Sequence, residues 1–297
     1  MRFVRYLHSG VESYGLLSDD KIINLKTLAD VLETPLPSTM EELIGLGEEA
    51  KRTVEQLMLN STKTEKRKAT LKIGDAAFLA PVSSPPKILC LGLNYRDHAE
   101  EAGADIPDEP IIFMKPRTAI VGPDEPIIRP TFVKELDYEA ELAIIIGKKG
   151  KNIPVSEAEK YVFGYTAFND VSAREIQFKD RQWTRGKSFD TFAPLGPCIT
   201  TADQIGNPSN LNIRTRVNGE LRQDSSTKNM VFNVYEVIHH ISRVMTLEPC
   251  DIIATGTPAG VAVFMKPTPK FLSPGDLVEV EIENIGTLRN KLAEALA

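Results

Sequence analysis

From residue 87 onward the chain offers seven short strand candidates and only two stretches with helical periodicity, and the two kinds do not alternate. The strand candidates are KILCLGL, IIFMK, ELAIIIG, GYTAFND, LNIRTRVNGELRQ, DIIATG and DLVEVEIENIGTL; the helical ones are SEAEKYV and NVYEVIHHISRVM. A parallel α/β sheet needs a crossover helix between most consecutive strands. This order therefore predicts a β-rich α+β domain. Asn218-Gly219 is the dipeptide of a two-residue hairpin, and SPGD (Ser273–Asp276) turns into the alternating LVEVEIE.

The first 75 residues read as a separate small unit. FVRYLHSG and SYGLLSDDKIINL alternate and turn like the strands of a meander. TMEELIGLGEEAKRTVEQLMLN reads as one helix, with Leu43, Leu46, Ala50, Val54, Leu57 and Met58 at three- and four-residue spacing. Thr39 and Glu42 make a capping box at its start. STKTEKRKAT is polar and reads as a linker or a solvated helix end, and the proline-rich LAPVSSPPK leads into the larger unit. The expected division is 1–75 for the small domain and 76–297 for the large one.

The net charge of −6 argues against general nucleic-acid binding. Three cysteines, Cys90, Cys198 and Cys250, are too few and too scattered for a disulfide framework or a zinc site. MRFVRYLHSG lacks the apolar core of a signal peptide, and no apolar run approaches membrane-spanning length. A cytoplasmic protein with no membrane partner is the expectation.

Chemistry gathers in a few places. In ELDYEAELAIIIG, alternate residues of a strand share a face, so Asp137, Glu139 and Glu141 point the same way, about 7 Å apart in succession. Running into a buried segment, they repel one another unless a cation joins them; a solvated edge with acidic decoration is the other reading. Asp170 is a candidate further ligand, or else an N-cap before VSAREIQ. An all-carboxylate set favours Mg²⁺ or Mn²⁺ over Zn²⁺. His98 and Glu101 are neighbours on a helical turn, either as a carboxylate-oriented base or as a surface charge pair. His239 and His240 belong to an apolar helix. Gly186-Lys187-Ser188 ends like a P-loop, but the position of the loop's first glycine is Arg181, so a phosphate cradle is not formed this way.

LGLNYRDHAEE, FMKP, LDYEAELAIIIGK, GYTAFNDVSARE, QWTRGKSFDTFAPLGP, TRVNGELRQDSST, DIIATGTPAGV and PGDLVEVEIENIGTLRN occur in this order. In these blocks the chain resembles the fumarylacetoacetate hydrolase (FAH) family over nearly all of residues 80 to 297. The N-terminal unit is similar to the small extra domain of many members. The resemblance implies a mixed β-sandwich roll with a small N-terminal α/β domain, a homodimer, and one Mg²⁺ or Mn²⁺ held by Glu139, Glu141 and Asp170, with Asp137 a neighbour. It implies a water-activating His98–Glu101 pair on a lid segment, Lys187 as the site lysine, and substrate contacts at Lys115, Gln177 and Thr257. Two stretches depart from the family pattern. Ala262-Val263-Phe264-Met265 stands where glycines are common, and Cys250 replaces a frequent glycine.

The activity implied is hydrolysis of a C–C bond in acylpyruvate-type 2,4-dioxo acids through an enolate stabilised by the cation. A decarboxylase or keto–enol tautomerase of oxaloacetate-like 2-oxo acids uses the same enolate. A Schiff-base aldolase built on Lys187 and a non-catalytic binding protein are the readings from other classes.

Overall fold

A computed structural model of the chain describes residues 1–180 and 182–295. Arg181, where the P-loop glycine is missing, and residues 296 and 297, the end of the expected larger domain, lie outside the described residues.

The expected β-rich α+β sandwich is what forms. Among the described residues the main sheet has 12 strands. Its centre is the strand Ala140–Ile146, flanked by Val162–Asn169 on one side and Ile252–Ala254 on the other. Both of those pairings are antiparallel, whereas Ile252–Ala254 runs parallel to Ile88–Gly92, so the sheet is mixed. A second, five-stranded sheet contains Glu220–Ser226, Asn212–Val217, Leu277–Ile282, Gly286–Glu294 and Ile127–Arg129. The predicted Asn218-Gly219 hairpin joins its first two strands.

The central strand explains its own composition. Ala140, Leu142, Ile144 and Ile146 face the second sheet, packing with Ile213, Val280 and Leu288. Ala143 and Ile145 face the other way, into a core shared with Leu43, Ile44, Val54 and Leu57 of the N-terminal helices. A strand covered on both faces reads as a continuous apolar run, and AELAIII is fully buried. Glu139 and Glu141 have the parity of Ala143, so both carboxylates enter a covered layer.

The N-terminal strands continue the main sheet, with Arg2–His8 lying against Ala193–Thr201. The region around residue 75 is a short 3₁₀ turn, Ile73–Asp75, between Thr70–Lys72 and Ala77–Leu79. The helix expected over 39–60 is two, Met40–Gly45 and Glu48–Asn60. Gly47, at φ 56°, breaks it because no residue can continue an α-helix from that conformation. The capping box of Thr39 and Glu42 is present. The polar stretch after residue 61 holds a further helix, Lys63–Lys68, with no buried residue. SEAEKYV lies in a 3₁₀ helix, Val155–Tyr161. The three cysteines are free and buried. Cys250 keeps the left-handed backbone, φ 69°, that a glycine would adopt without strain. No described helix is long and apolar enough to cross a membrane.

Candidate active site

Register brings the acidic residues together. Ala140 pairs with Asn169 across two antiparallel strands. At that end Asp170 N–H donates to the Glu139 carbonyl (2.9 Å), and Glu139 N–H donates to the Asn169 side chain (3.0 Å). One carboxylate oxygen each from Glu139, Glu141 and Asp170 then lies within 4.8 Å of the others. Glu141 and Asp170 have no exposed surface, and Glu139 is 5% exposed. Asp170 is not a helix cap, because the next helix, Arg174–Lys179, starts from Ala173.

Such a cluster must be compensated. The Lys187 ammonium donates to Asp170 (2.7 Å), Glu139 (2.9 Å) and Ser172 Oγ (2.9 Å). Lys115, wholly buried, donates to the other oxygen of Asp170 and to the Val171 carbonyl. Arg174 joins Glu139 at 2.7 Å and Asp137 at 2.8 Å. Burial pushes the Glu139 carboxyl up, but Lys187 and Arg174 outweigh it and hold it at about 2. Burial also pulls the Lys187 ammonium down, but Asp170 and Glu139 lift it above the ordinary lysine value.

Glu141 differs from the other two. Gly256 N–H donates to one of its oxygens (2.8 Å), while the other oxygen is buried with no partner among the described residues. Burial, then Asp170 and Glu139, push its carboxyl well above the usual range. A buried carboxylate facing two others with a free oxygen is the donor set of a hard divalent cation. The residues fit Mg²⁺ or Mn²⁺.

Beside the cluster lies a cavity of about 240 Å³. Of the residues singled out from the sequence, His98, Glu139, Gln177, Lys187 and Thr257 line it, whereas Glu101, Lys115, Glu141 and Asp170 do not. Leu91, Leu93, Phe113, Trp183, Phe178 and Phe264 make its apolar surface. Lys187 Nζ is 5.1 Å from the centre of the Phe113 ring. Two donors are oriented. Arg174 donates to Gln177 Oε1 (2.9 Å), which leaves the amide NH₂ free to donate elsewhere, and Gln223 donates to Thr257 Oγ1 (2.9 Å), which leaves the hydroxyl hydrogen free.

His98 sits on the helix Arg96–Ala102. Glu101 Oε2 is 3.6 Å from its Nδ1, an ion-pair distance and too long for a good hydrogen bond. Gly260 N–H donates to both Glu101 oxygens (3.0 and 3.1 Å), so the helix is docked on the loop after residue 256. At the other end of the helix, Asp97 accepts from Ser225 Oγ (2.5 Å) and from Asn229 (3.3 Å).

Sequence reasoning passed over Arg174, Asp97 and Gln223, each of which orients a predicted site residue or its helix. Arg174 was visible within SARE as a cation beside an acidic stretch; Gln223 and Asp97 have no local signal. Asp137 is a neighbour of the cluster: Tyr138, Ala262, Val263 and Arg174 all donate to its carboxylate. Two glycines serve close approach. A Cβ on Gly92 would lie 2.0 Å from the Trp183 ring, and one on Gly186 would lie 2.8 Å from the Gln177 backbone nitrogen. The glycine of Gly-Lys-Ser therefore lets the short helix Thr184–Lys187 press against the helix Arg174–Lys179.

Comparison with known proteins places the chain in a family. The chain is 44% identical over 296 residues to an oxaloacetate tautomerase, mitochondrial, of Xenopus laevis, covering 98% of this chain and 89% of the relative. A fumarylacetoacetate hydrolase from psychrophilic Exiguobacterium antarcticum superposes with a TM-score of 0.83 at 37% identity, over 99% of this chain and 100% of that one. Maleylpyruvate hydrolase from Sphingobium sp. SYK-6, in complex with manganese (II) ion and pyruvate, gives 0.80 at 29% identity over 100% of both chains. The sequence profile of the fumarylacetoacetate (FAA) hydrolase C-terminal family matches residues 87–293, so the chain belongs to the fumarylacetoacetate hydrolase family of enzymes.

Proposed function

We propose that the protein is a divalent-metal-dependent keto–enol tautomerase of oxaloacetate-type 2-oxo acids. The observation that carries this reading is that Glu139, Lys187 and His98 share one cavity of about 240 Å³, just below the usual range for ligand pockets. The 44% identity to an oxaloacetate tautomerase over nearly the whole chain supports the same choice.

A cation held by Glu139, Glu141 and Asp170 would act as a Lewis acid toward the carboxylate and keto oxygens of a 2-oxo acid. His98, as general base, takes a proton from C3, and the electron pair of that C–H bond forms the C2–C3 double bond. The C2 oxygen gains the charge, and the Lys187 ammonium stabilises it. The proton returns from His98 to that oxygen, so the enol has the same atoms as the ketone. Glu101 lies 3.6 Å from the imidazole Nδ1 and sets a carboxylate beside the base. The free donors of Gln177 and Thr257 suit the oxygens at the far end of a short acid. Lys187, held between two carboxylates and raised above its ordinary value, is a charge and not an amine nucleophile, which speaks against the aldolase reading.

The test follows the loss of enol absorbance of oxaloacetate with chelator-treated protein, before and after resupply of Mg²⁺ or Mn²⁺, against each metal alone. Metal-restored catalysis above the metal-only rate is expected. Equal rates with and without protein overturn the reading. A second reading, hydrolysis of short acylpyruvates, is favoured by the His98–Glu101 pairing and by the likeness to maleylpyruvate hydrolase. There, water activated by His98 adds to the distal carbonyl, the C3–C4 bond breaks, and pyruvate and a carboxylic acid leave. Formation of pyruvate and acetate from acetylpyruvate would favour it.

A further inference from the structure

The segment Ala262 to Met265 contributes to one wall of the cavity through Phe264. Phe264 lines it, with its ring centre 6.0 Å from that of His98 and the planes inclined at 51°. The wall is firmly held. Ala262 and Val263 N–H groups donate to the buried Asp137 carboxylate (2.8 and 3.1 Å), and Tyr138 Oη donates to the Gly260 carbonyl (2.9 Å). Residues 262–264 form a 3₁₀ turn over a buried Ala262. Asp137 and Tyr138 immediately precede Glu139, so the wall is tied to the same strand end as the acidic cluster.

The position of Phe264 has a chemical consequence, which rests on the 2-oxo acid reading above. The acid end of a substrate belongs at Glu139 and Lys187, and the base must reach C3. A ring packed against that base therefore lies beside whatever C3 and C4 carry. We infer that Phe264 sets the length limit of the substrate, admitting acids that end at a carboxylate or a methyl ketone beyond C3 and excluding longer or branched acyl groups. The turn is anchored by a buried carboxylate, so the wall does not swing aside for a larger group.

Phe264→Ala and the milder Phe264→Leu test this in metal-loaded full-length protein. Both are first checked for a wild-type melting transition, and the leucine variant keeps an apolar contact on His98 should the alanine variant misfold. Turnover is compared for acetylpyruvate, butanoylpyruvate and hexanoylpyruvate. Binding is compared for pyruvate, 2-oxopentanoate and 2-oxooctanoate by the fluorescence of Trp183, the single tryptophan, which lines the same cavity. One methylene in an apolar pocket changes specificity by about tenfold or more. The ratio of long-acid to short-acid kcat/KM should therefore rise by about tenfold or more in Phe264→Ala, and less in Phe264→Leu. The ratio of binding constants should move in the same direction. Unchanged ratios in both measurements overturn the inference. Wild-type protein that turns over none of these acids, nor oxaloacetate, overturns the function proposed above, while the fluorescence titration still decides whether Phe264 limits length.

Discussion

Replacing Glu141 by glutamine separates a metal ligand from a structural residue. Without a cation, Glu141 is wholly buried, one oxygen accepts from Gly256, the other has no partner among the described residues, and Asp170 and Glu139 oppose its charge. Glutamine keeps the shape and the oxygen that accepts from Gly256 but removes the repulsion. Metal-free Glu141→Gln should then unfold within about 1 kcal/mol of wild type, the scale of one hydrogen bond. Metal reverses the comparison. A cation that binds only the folded protein stabilises it by about 2.7 kcal/mol at a concentration 100 times its Kd. At roughly 2 °C per kcal/mol for a chain of this size, the wild-type midpoint rises by about 5 °C. If loss of one carboxylate weakens binding about 100-fold, the same metal concentration gives only about 0.4 kcal/mol, a shift near 1 °C. Calorimetry in chelator and in excess Mg²⁺ or Mn²⁺ reads all four states. Equal metal shifts in both proteins would refute the ligand assignment. A loss of several kcal/mol in the metal-free variant would refute the claim that Glu141 is uncompensated there.

Other substitutions probe the remaining parts. Asp137→Ala leaves the buried Arg174 guanidinium without its main partner and should cost about 3–5 kcal/mol, read as a lower urea midpoint. His98→Ala should lower the tautomerisation rate by about 10²- to 10⁴-fold while keeping the metal-induced rise in melting temperature; loss of both together would place His98 in the cation site. Gly92→Ala drives a methyl group into the Trp183 ring and should cost about 1–3 kcal/mol, with a change in the tryptophan emission spectrum in the folded protein.

The local part of this molecule was legible because it depends on period and neighbour. Alternation gave Glu139 and Glu141 a common face, an i, i+3 spacing gave the His98–Glu101 pair, and capping chemistry located Thr39. The two-faced burial of this strand showed only as the apolar run LAIII after Glu141, since periodicity does not say what covers each face. The break at Gly47 was hidden because Leu43, Leu46, Ala50 and Val54 keep a helical spacing on both sides of it. The pairing of Arg2–His8 with Ala193–Thr201 joins segments nearly 200 residues apart, as in the register Arg2↔Thr200, and no local pattern encodes such a partner.

Asp137 marks the boundary of what alternation can decide. By parity it is equivalent to Glu139 and Glu141, and from residue type alone any of the three could be a ligand. Its difference comes from Arg174 and from the N–H groups of residues 262 and 263, which arrive from distant parts of the chain and occupy both of its oxygens. Glu141 is the converse, because among the described residues only one N–H group reaches it and its second oxygen is left without a donor beside two other carboxylates. Glu139 and Asp170 lie between these cases: their oxygens are met by the side-chain cations of Arg174, Lys187 and Lys115, whereas backbone N–H groups fix both oxygens of Asp137 and make it an anchor. The distinction between anchor and ligand therefore resides in the non-local donor supply. The substitution Glu141→Gln tests the ligand side of that distinction, and Asp137→Ala tests the anchor side.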